Sequence, residues 1–295
     1  MEVKIHTLSY RTRRKAVQAR RNGVEEKQLP SFEDRARLGT HGLVMLYSLG
    51  MRKSRCLGLV GGLGVGATLL YYEKLAKGCE ERGRELDIVI TNAHTPRVFE
   101  YVEANDRDRL AAYLNGYIRR MKAAGAEIAA IPAVTPHYCL QELAARSPLP
   151  IVSIFDPLIG ELARRVARRV AIFGTRFVIA SDLFGGVKGV EFLRPKPEEV
   201  DLIHDTYVGL AATGKRSQEK YEKLTALAKT LVRRDGVDAI LLAGTDLALL
   251  FDESNTDFPH VDCAALHIEA ILKSLECGDT DPKNGQKNSD APQDA

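Results

Sequence analysis

Short apolar runs alternate along the chain with longer segments that have helical periodicity. Residues 56–60, 86–90 and 127–132 have the length and composition of buried strands, and each run is followed by a glycine-containing or polar segment. Residues 107–124 place apolar side chains every three or four positions, as an amphipathic helix does, and Gly125 supplies a helix stop. Strands that alternate with helices in this way predict an α/β fold with mostly parallel sheets.

The alternation extends over both halves of the chain. In the first half, further helices are predicted at 68–78, 137–146 and 157–169, with a strand at 151–154. The second half predicts strands at 170–173, near Phe192, at 237–242 and from 261, and helices at 197–207, 218–234 and 264–275. Because parallel sheets bind ligands at the carboxyl ends of their strands, the polar turns that directly follow apolar strands are the candidate ligand positions.

An internal repeat divides the body of the chain. Residues 119–133 match residues 230–244 at an offset of 111, and residues 57–72 match 170–183 as a second strand, glycine turn and helix. The matched residues of the first pairing include Gly125 with Gly236, Glu127 with Asp238, and Ala133 with Gly244. Such self-similarity predicts two pseudo-symmetric Rossmann-like lobes with a ligand site in the cleft between them. The alternative is a duplication whose cleft is empty.

The repeat and the composition together suggest the domain boundaries. We expect residues 56–155 with 260–276 to form the first lobe and residues 156–259 to form the second. Residues 1–55 read as a basic, disordered extension, and residues 277–295 as a disordered polar tail that cannot bury enough apolar surface to order itself. We favour an appended or misassigned start before Met51 over a targeting segment, although 11–21 faintly resembles a transit peptide.

The positive charge of the chain is concentrated at its N-terminus. Residues 1–55 hold 13 Lys or Arg against 5 Asp or Glu, so the rest of the chain, which has a total charge of +3, carries about −5. A basic tail can bind nucleic acid or an anionic membrane, but a solvated extension is the simpler interpretation and we expect neither partner. The longest apolar run, 239–250, is interrupted by Thr245 and Asp246 and is too short to span a bilayer.

Cysteine and histidine usage argues for a reduced protein without a metal. The five cysteines include no CxxC pair, and the seven histidines are scattered without ligand spacing. We therefore expect free thiols and a cytoplasmic location.

Five motifs in chain order resemble the aspartate/glutamate racemase family between about residues 56 and 275. Residues 61–68 (GGLGVGAT) are similar to the family's Gly-Gly-Met-Gly-Pro-x-Ala-Thr, and residues 131–137 (IPAVTPH) to Pro-Cys-Asn-Thr-x-His. Residues 174–177 (GTRF) resemble the opening of Gly-Thr-x-x-Thr, and residues 242–247 (LAGTDL) resemble Gly-Cys-Thr-Glu followed by an apolar residue. Asp262 and His267 fit the final Asp-x-x-x-x-His.

The resemblance implies a cofactor-independent isomerase of amino-acid metabolism, in which two cysteines exchange the α-proton from opposite faces of the substrate. A thiolate suits this task because its pKa lies nearer neutrality than that of a hydroxyl, and fixed donors must stabilise the carbanion. We expect a small amino-acid or carboxylic-acid ligand, a homodimer, no cofactor such as pyridoxal phosphate, and no metal.

The chain departs from the family at the positions that carry this chemistry. The two cysteine positions are Ala133 and Gly244, and neither side chain can move a proton. Val134 stands in place of the family's Asn, and Asp246 in place of its Glu. We expect that cysteines installed at both substituted positions would create or raise aspartate or glutamate racemisation.

The retained polar residues supply the candidate site. His137 and Asp246 are the candidate catalytic residues, with bracing of the turn and helix capping as the structural alternatives. Cys139, Cys263 and His94 are weaker candidates for contact with a substrate. The resemblance assigns substrate binding to Gly62, Gly64, Thr68, Val134, Thr135, Thr175, Thr245 and His267.

Three functional interpretations remain open from the sequence. The first is a racemase-family enzyme with an altered mechanism or a different reaction. The second is an inactive homologue, a pseudoenzyme, that binds a small amino or carboxylic acid as a sensor or as a partner subunit. The third, a nucleic-acid or membrane-associated protein, rests on the basic residues of 1–55 alone.

Overall fold

Two parallel sheets form the centre of the computed structural model, which describes residues 51–276. In the first sheet, β2 (Leu57–Gly61) lies between β4 (Ile88–Asn92) and β5 (Ile128–Ala130), and both neighbours run parallel to it. Ile151 adds a single parallel bridge beyond β5, at Ala129. Two further short strands are β1 (Arg52–Lys53) and β3 (Arg84–Glu85).

Helices cover both faces of the first sheet because its strands alternate their side chains between the faces. Leu57 and Leu59 of β2 pack with α1 (Val65–Glu81), whereas Val60 packs on the other side with α3 (Arg107–Ala123). The connecting elements of this half are α2 (Thr95–Glu103), a 3-10 turn at Thr135–Cys139 and α4 (Leu140–Ala144).

The second sheet repeats the arrangement of the first. Its strand order is β7 (Glu191–Leu193), β6 (Arg169–Phe173), β8 (Ala239–Leu242) and β9 (His260–Asp262), all parallel. The helices of this half are α5 (Phe155–Arg164), α6 (Arg176–Ala180), α7 (Pro197–Thr213) and α8 (Gln218–Asp235), with a 3-10 turn at Thr245–Leu249. The expected α/β class with mostly parallel sheets is confirmed.

The last helix returns to the first sheet. Helix α9 (Cys263–Glu276) follows β9 of the second sheet, yet its buried residues Ile268, Ile271 and Leu272 join the apolar cluster of β2 and α1. Helix α5 makes the opposite crossing, since Leu158 and Leu162 join the cluster built on the second sheet.

The matched residues of the repeat perform the same task in both halves. The Glu127 carboxylate accepts a hydrogen bond from the Cys56 amide at 2.8 Å, while the Asp238 carboxylate accepts from the amides of Arg168 and Arg169 at 2.7 and 2.8 Å. Each carboxylate thus pins the start of the central strand beside it. These bonds lower the pKa of the Asp238 carboxyl below its usual value because they stabilise its charged form.

Several predicted elements differ from the observed ones. The pattern missed α2 and ended α7 at residue 207, six residues before its observed end at Thr213. Helix α5 ends at Arg164, short of residue 169, because the chain turns through Val166, whose φ is +53°. Residues 151–154 form a single bridge where a strand was predicted.

The predictions of a basic extension and of a polar tail lie outside the described residues, apart from residues 51–55. Within residues 51–276, no helix has the length and apolar character that a membrane span requires.

Candidate functional site

The glycine turn after β2 is held in shape by its own threonine. Gly62 has a φ of +81°, and a Cβ atom there would lie 2.4 Å from the Ala93 carbonyl oxygen, so the position requires glycine. The Thr68 hydroxyl accepts from the Gly62 amide at 3.1 Å and donates to the Gly64 carbonyl at 2.8 Å. Thr68, a predicted substrate ligand, is therefore engaged in fixing the turn.

The carboxylate of Asp246 lies against this glycine turn. Its Oδ1 accepts from the Ala67 amide in the first turn of α1 at 2.9 Å, and its Oδ2 accepts from the Tyr207 hydroxyl at 3.3 Å. A Cβ atom on Gly64 would lie 2.4 Å from Oδ2, so the missing side chain at this position makes room for the carboxylate. Asp246 is fully buried, and burial raises the pKa of its carboxyl above the usual value.

His137 lies four residues after Ala133 and is buried with it. Its Nδ1 donates to the Ala133 carbonyl oxygen at 2.8 Å, so the neutral ring carries its lone pair on Nε2. Nε2 is buried and has no hydrogen-bond partner among the described residues. Burial lowers the pKa of His137 to about 4, which keeps the ring neutral at physiological pH.

A second buried histidine lies beside the first. The rings of His137 and His267 have their centroids 6.1 Å apart. His267 donates from Nε2 to the Val152 carbonyl at 3.0 Å, and its Nδ1 accepts from the Tyr71 hydroxyl at 3.1 Å. Burial lowers the pKa of His267 to about 3. Both ring nitrogens of His267 are engaged in hydrogen bonds, which fits a structural role in supporting the neighbouring residues.

The two matched turns, which follow β5 at residues 131–137 and β8 at residues 243–247, are in direct contact. The Thr245 hydroxyl donates to the Pro132 carbonyl oxygen at 2.9 Å, across 113 residues of sequence, and the Thr245 side chain is buried. Thr135 and Val134 are also buried, and Val134 packs into the cluster of the second sheet.

The offset between the repeats changes within these turns. Glu127 and Asp238 match at an offset of 111 residues. The hydrogen bond from the His137 amide to the Val134 carbonyl, however, corresponds to the bond from the Leu247 amide to the Gly244 carbonyl. These two bonds match at an offset of 110 residues. The first turn therefore contains one residue more than the second. By its hydrogen bonds the counterpart of Gly244 is Val134, one residue after Ala133.

Thr175 lies at the carboxyl end of β6, beside these turns. Its hydroxyl accepts from the Val178 amide at 3.1 Å and caps α6. A Cβ atom on Gly174 would lie 3.2 Å from the Ala243 carbonyl, so the turn at Gly174 packs closely on the strand end before Gly244.

Tyr207 is a member of the site that the sequence pattern missed. A Cβ atom on Gly244 would lie 2.3 Å from Cε2 of Tyr207, so the phenol ring fills the space in front of this glycine. Tyr207 projects from the middle of α7 and is 8% exposed. Nothing in its own sequence neighbourhood signals this contact, because the two residues are 37 positions apart.

The weaker candidates lie in settings that do not activate them. The Cys139 thiol is buried and directed to the Pro136 carbonyl, and burial raises its pKa to about 12. The Cys263 thiol donates to the Leu242 carbonyl at 2.8 Å, and burial raises its pKa well above the usual value. Both are therefore protonated at neutral pH. His94 is exposed at the carboxyl end of β4.

The carboxyl ends of two similar parallel sheets, joined where Thr245 meets Pro132, define a two-lobed α/β protein with its candidate site at the junction of the two sheets. The chain belongs to the Asp/Glu/hydantoin racemase family, whose model matches residues 60–271.

Solved structures of the same type share the fold. The chain is similar to a Yersinia pestis protein assigned to the Asp/Glu racemases, at 20% identity and a TM-score of 0.64, over 75% of this chain and 99% of that one. An aspartate racemase homologue from Pyrococcus horikoshii OT3 has 24% identity and a TM-score of 0.62, over 75% and 100%. Aspartate racemase from Picrophilus torridus has 19% identity and a TM-score of 0.59, over 75% and 94%.

Proposed function

We propose that the protein is an isomerase that acts on a small amino or carboxylic acid between the two matched turns, without a cofactor and without a two-thiol relay. The observation that carries the proposal is the hydrogen bond from Thr245 to Pro132, which supports one shared site at the carboxyl ends of both sheets. Family membership supports the isomerase class.

His137 is the proposed base. Ala133 and Gly244 hold no group that can carry a proton, whereas the lone pair on Nε2 of His137 is free of a partner within the described part of the chain. A general base must be unprotonated and within reach of the proton that it removes. The low pKa of His137, about 4, satisfies the first requirement and also predicts slow turnover, because a weak base has little driving force for proton transfer.

The cellular setting belongs to the same proposal. We infer a homodimer in the cytoplasm. The buried free thiols of Cys56, Cys79, Cys139 and Cys263 support a reducing compartment.

Exchange of the α-proton in D₂O tests this function. We expect the wild-type protein to exchange the α-proton of aspartate or glutamate, measured by loss of the proton NMR signal, and His137→Gln to lower the rate by roughly 100-fold or more. His260→Gln is the matched control, since His260 also directs Nδ1 to a nearby carbonyl, that of Phe258, but lies on β9.

The outcomes separate the candidate functions. An unchanged rate in His137→Gln removes His137 as the base. If the wild type exchanges nothing, yet aspartate or glutamate raises its melting temperature, the protein is a binding homologue and the proposal of an isomerase fails.

A further inference from the structure

The absence of a side chain at position 244 has a steric cause. The backbone of Gly244 is extended, with φ −127° and ψ 114°, a conformation that any residue adopts. Glycine is therefore not required by the backbone. The Tyr207 ring approaches closely instead, with its Cε2 2.3 Å and its Cδ2 2.5 Å from the point that a Cβ atom would occupy. This contact excludes every larger residue unless the ring moves.

The Tyr207 ring is held where it is by several contacts. It belongs to the apolar cluster of the second sheet, together with Ile203 and Leu210 of the same helix. Its hydroxyl donates to Asp246, whose other oxygen accepts from Ala67 at the start of α1. The Tyr207 phenol and the Asp246 carboxylate thus link helix α7 to the turn after β8 and to the start of α1.

We propose that Tyr207 is a specificity-determining residue that closes the second-lobe side of the site. Its ring occupies the volume into which a side chain at position 244 would extend. Side chains that reach a ligand between the turns must therefore come from the other side of the site, where Ala133 and His137 lie. The inference rests on the proposed function for the identity of the ligand, but not for the steric claim.

The expectation that two cysteines suffice to create racemisation therefore needs correction. A cysteine at position 133 extends from a Cβ atom that Ala133 already has. A cysteine at position 244 collides with Tyr207 at its first side-chain atom. Three changes are needed, the third being removal of the ring.

Thermal unfolding of combined variants tests the steric claim. We expect Gly244→Ala to lower the melting temperature by about 5 °C in the wild type and in Tyr207→Phe, because both retain the ring, and to have little further effect in Tyr207→Ala. Gly116→Ala is the control, since a Cβ atom on Gly116 meets nothing within 4 Å. An equal loss from Gly244→Ala in all three backgrounds would overturn the proposal.

Exchange of the α-proton tests whether the Tyr207 ring closes the second-lobe side of the site. We expect α-proton exchange of aspartate or glutamate in D₂O to be at least roughly 10-fold faster in Ala133→Cys/Gly244→Cys/Tyr207→Ala than in the same protein with Tyr207 retained. Equal, measurable rates in both variants would overturn the closing role of the ring. If neither variant exchanges either amino acid, the proposed ligand class fails, and the unfolding comparison still decides the role of Tyr207.

Discussion

At the scale of single residues, burial decides the protonation of the candidate site. The rings of His137 and His267 are kept neutral because charging them would require a cation in a dry interior. The same cost acts in the opposite direction on the carboxyls of Asp246 and Asp262, whose pKa values burial raises. The residue types are those that the sequence predicted, but their charges follow from the packing around them.

The buried histidines predict a loss of stability in acid. The pKa of His267 is about 3 in the folded protein and about 6.5 in the unfolded chain, so between these values the unfolded state binds the extra proton and the free energy of unfolding falls as pH falls. His137 acts in the same direction from 6.5 to about 4, while the raised pKa values of Asp246 and Asp262 act against it.

We therefore expect His267→Gln to show a shallower dependence on pH than the wild type, by up to about 1.4 kcal/mol per pH unit between about pH 6 and 4. Urea unfolding at several pH values measures this difference. Parallel curves for the two proteins would show that His267 does not titrate as its burial implies.

At the scale of elements, the strand and its following turn form the repeated unit. The strand half of the unit is repeated in detail, since Glu127 and Asp238 each fix a central strand through its backbone amides. The turn that follows the strand is one residue longer in the first copy than in the second, and the Thr245 hydroxyl joins the two copies. The polar contact between the lobes thus lies at the point where the two copies diverge.

Loss of the Thr245 hydroxyl should destabilise the junction of the turns. We expect Thr245→Val to lower the free energy of unfolding by about 1–3 kcal/mol, because the buried Pro132 carbonyl loses this donor, and Thr245→Ser to retain most of the stability. Thr230→Val is the control: Thr230 donates within α8 to Ala226, and its loss should change stability by less than about 0.5 kcal/mol. Chemical denaturation measures all three, and equal losses at both threonines would contradict the assignment.

At the scale of the whole described molecule, residues 51–276, the chain crosses between its two sheets. Helix α5 leaves the first sheet and packs on the second, and α9 leaves the second and packs on the first. The core of the first sheet is therefore completed by a helix that follows the last strand of the second sheet. This arrangement predicts that the C-terminal helix α9 stabilises the N-terminal sheet.

A truncation within α9 tests this coupling. We expect Ile271→Ala to lower the free energy of unfolding by about 2–5 kcal/mol, because Ile271 is fully buried against the first sheet. Ile159→Ala, in the other crossing helix, removes a side chain that is 41% exposed and should cost less than about 1 kcal/mol. A small effect at Ile271 in denaturant unfolding would contradict the packing of α9 on this sheet.

Much of the fold was predictable because the local spacing of apolar residues indicates strands and helices. Runs of apolar residues predicted the central strands and the amphipathic helix α3. Glycine marked the turns after β2 and β8, and polar residues marked the turn after β5. Helix α2 was missed because it is only nine residues long, although Val98 and Val102 give it a buried apolar face. The end of α5 at Arg164 depends on the left-handed turn at Val166, which no sequence rule favours for a β-branched residue.

The sequence by itself determined the family, the alternation of strands and helices, and the repeat that ends near Ala133 and Gly244. Only the tertiary structure decided that Tyr207 occupies the space before Gly244, that Asp246 lies on the first turn of α1, and that His137 keeps an unpartnered nitrogen among the residues described. The physical reason is the range of the interactions. Periodicity records contacts within a few residues, whereas these contacts join residues 37 to 179 positions apart, or depend on water exclusion by the assembled fold.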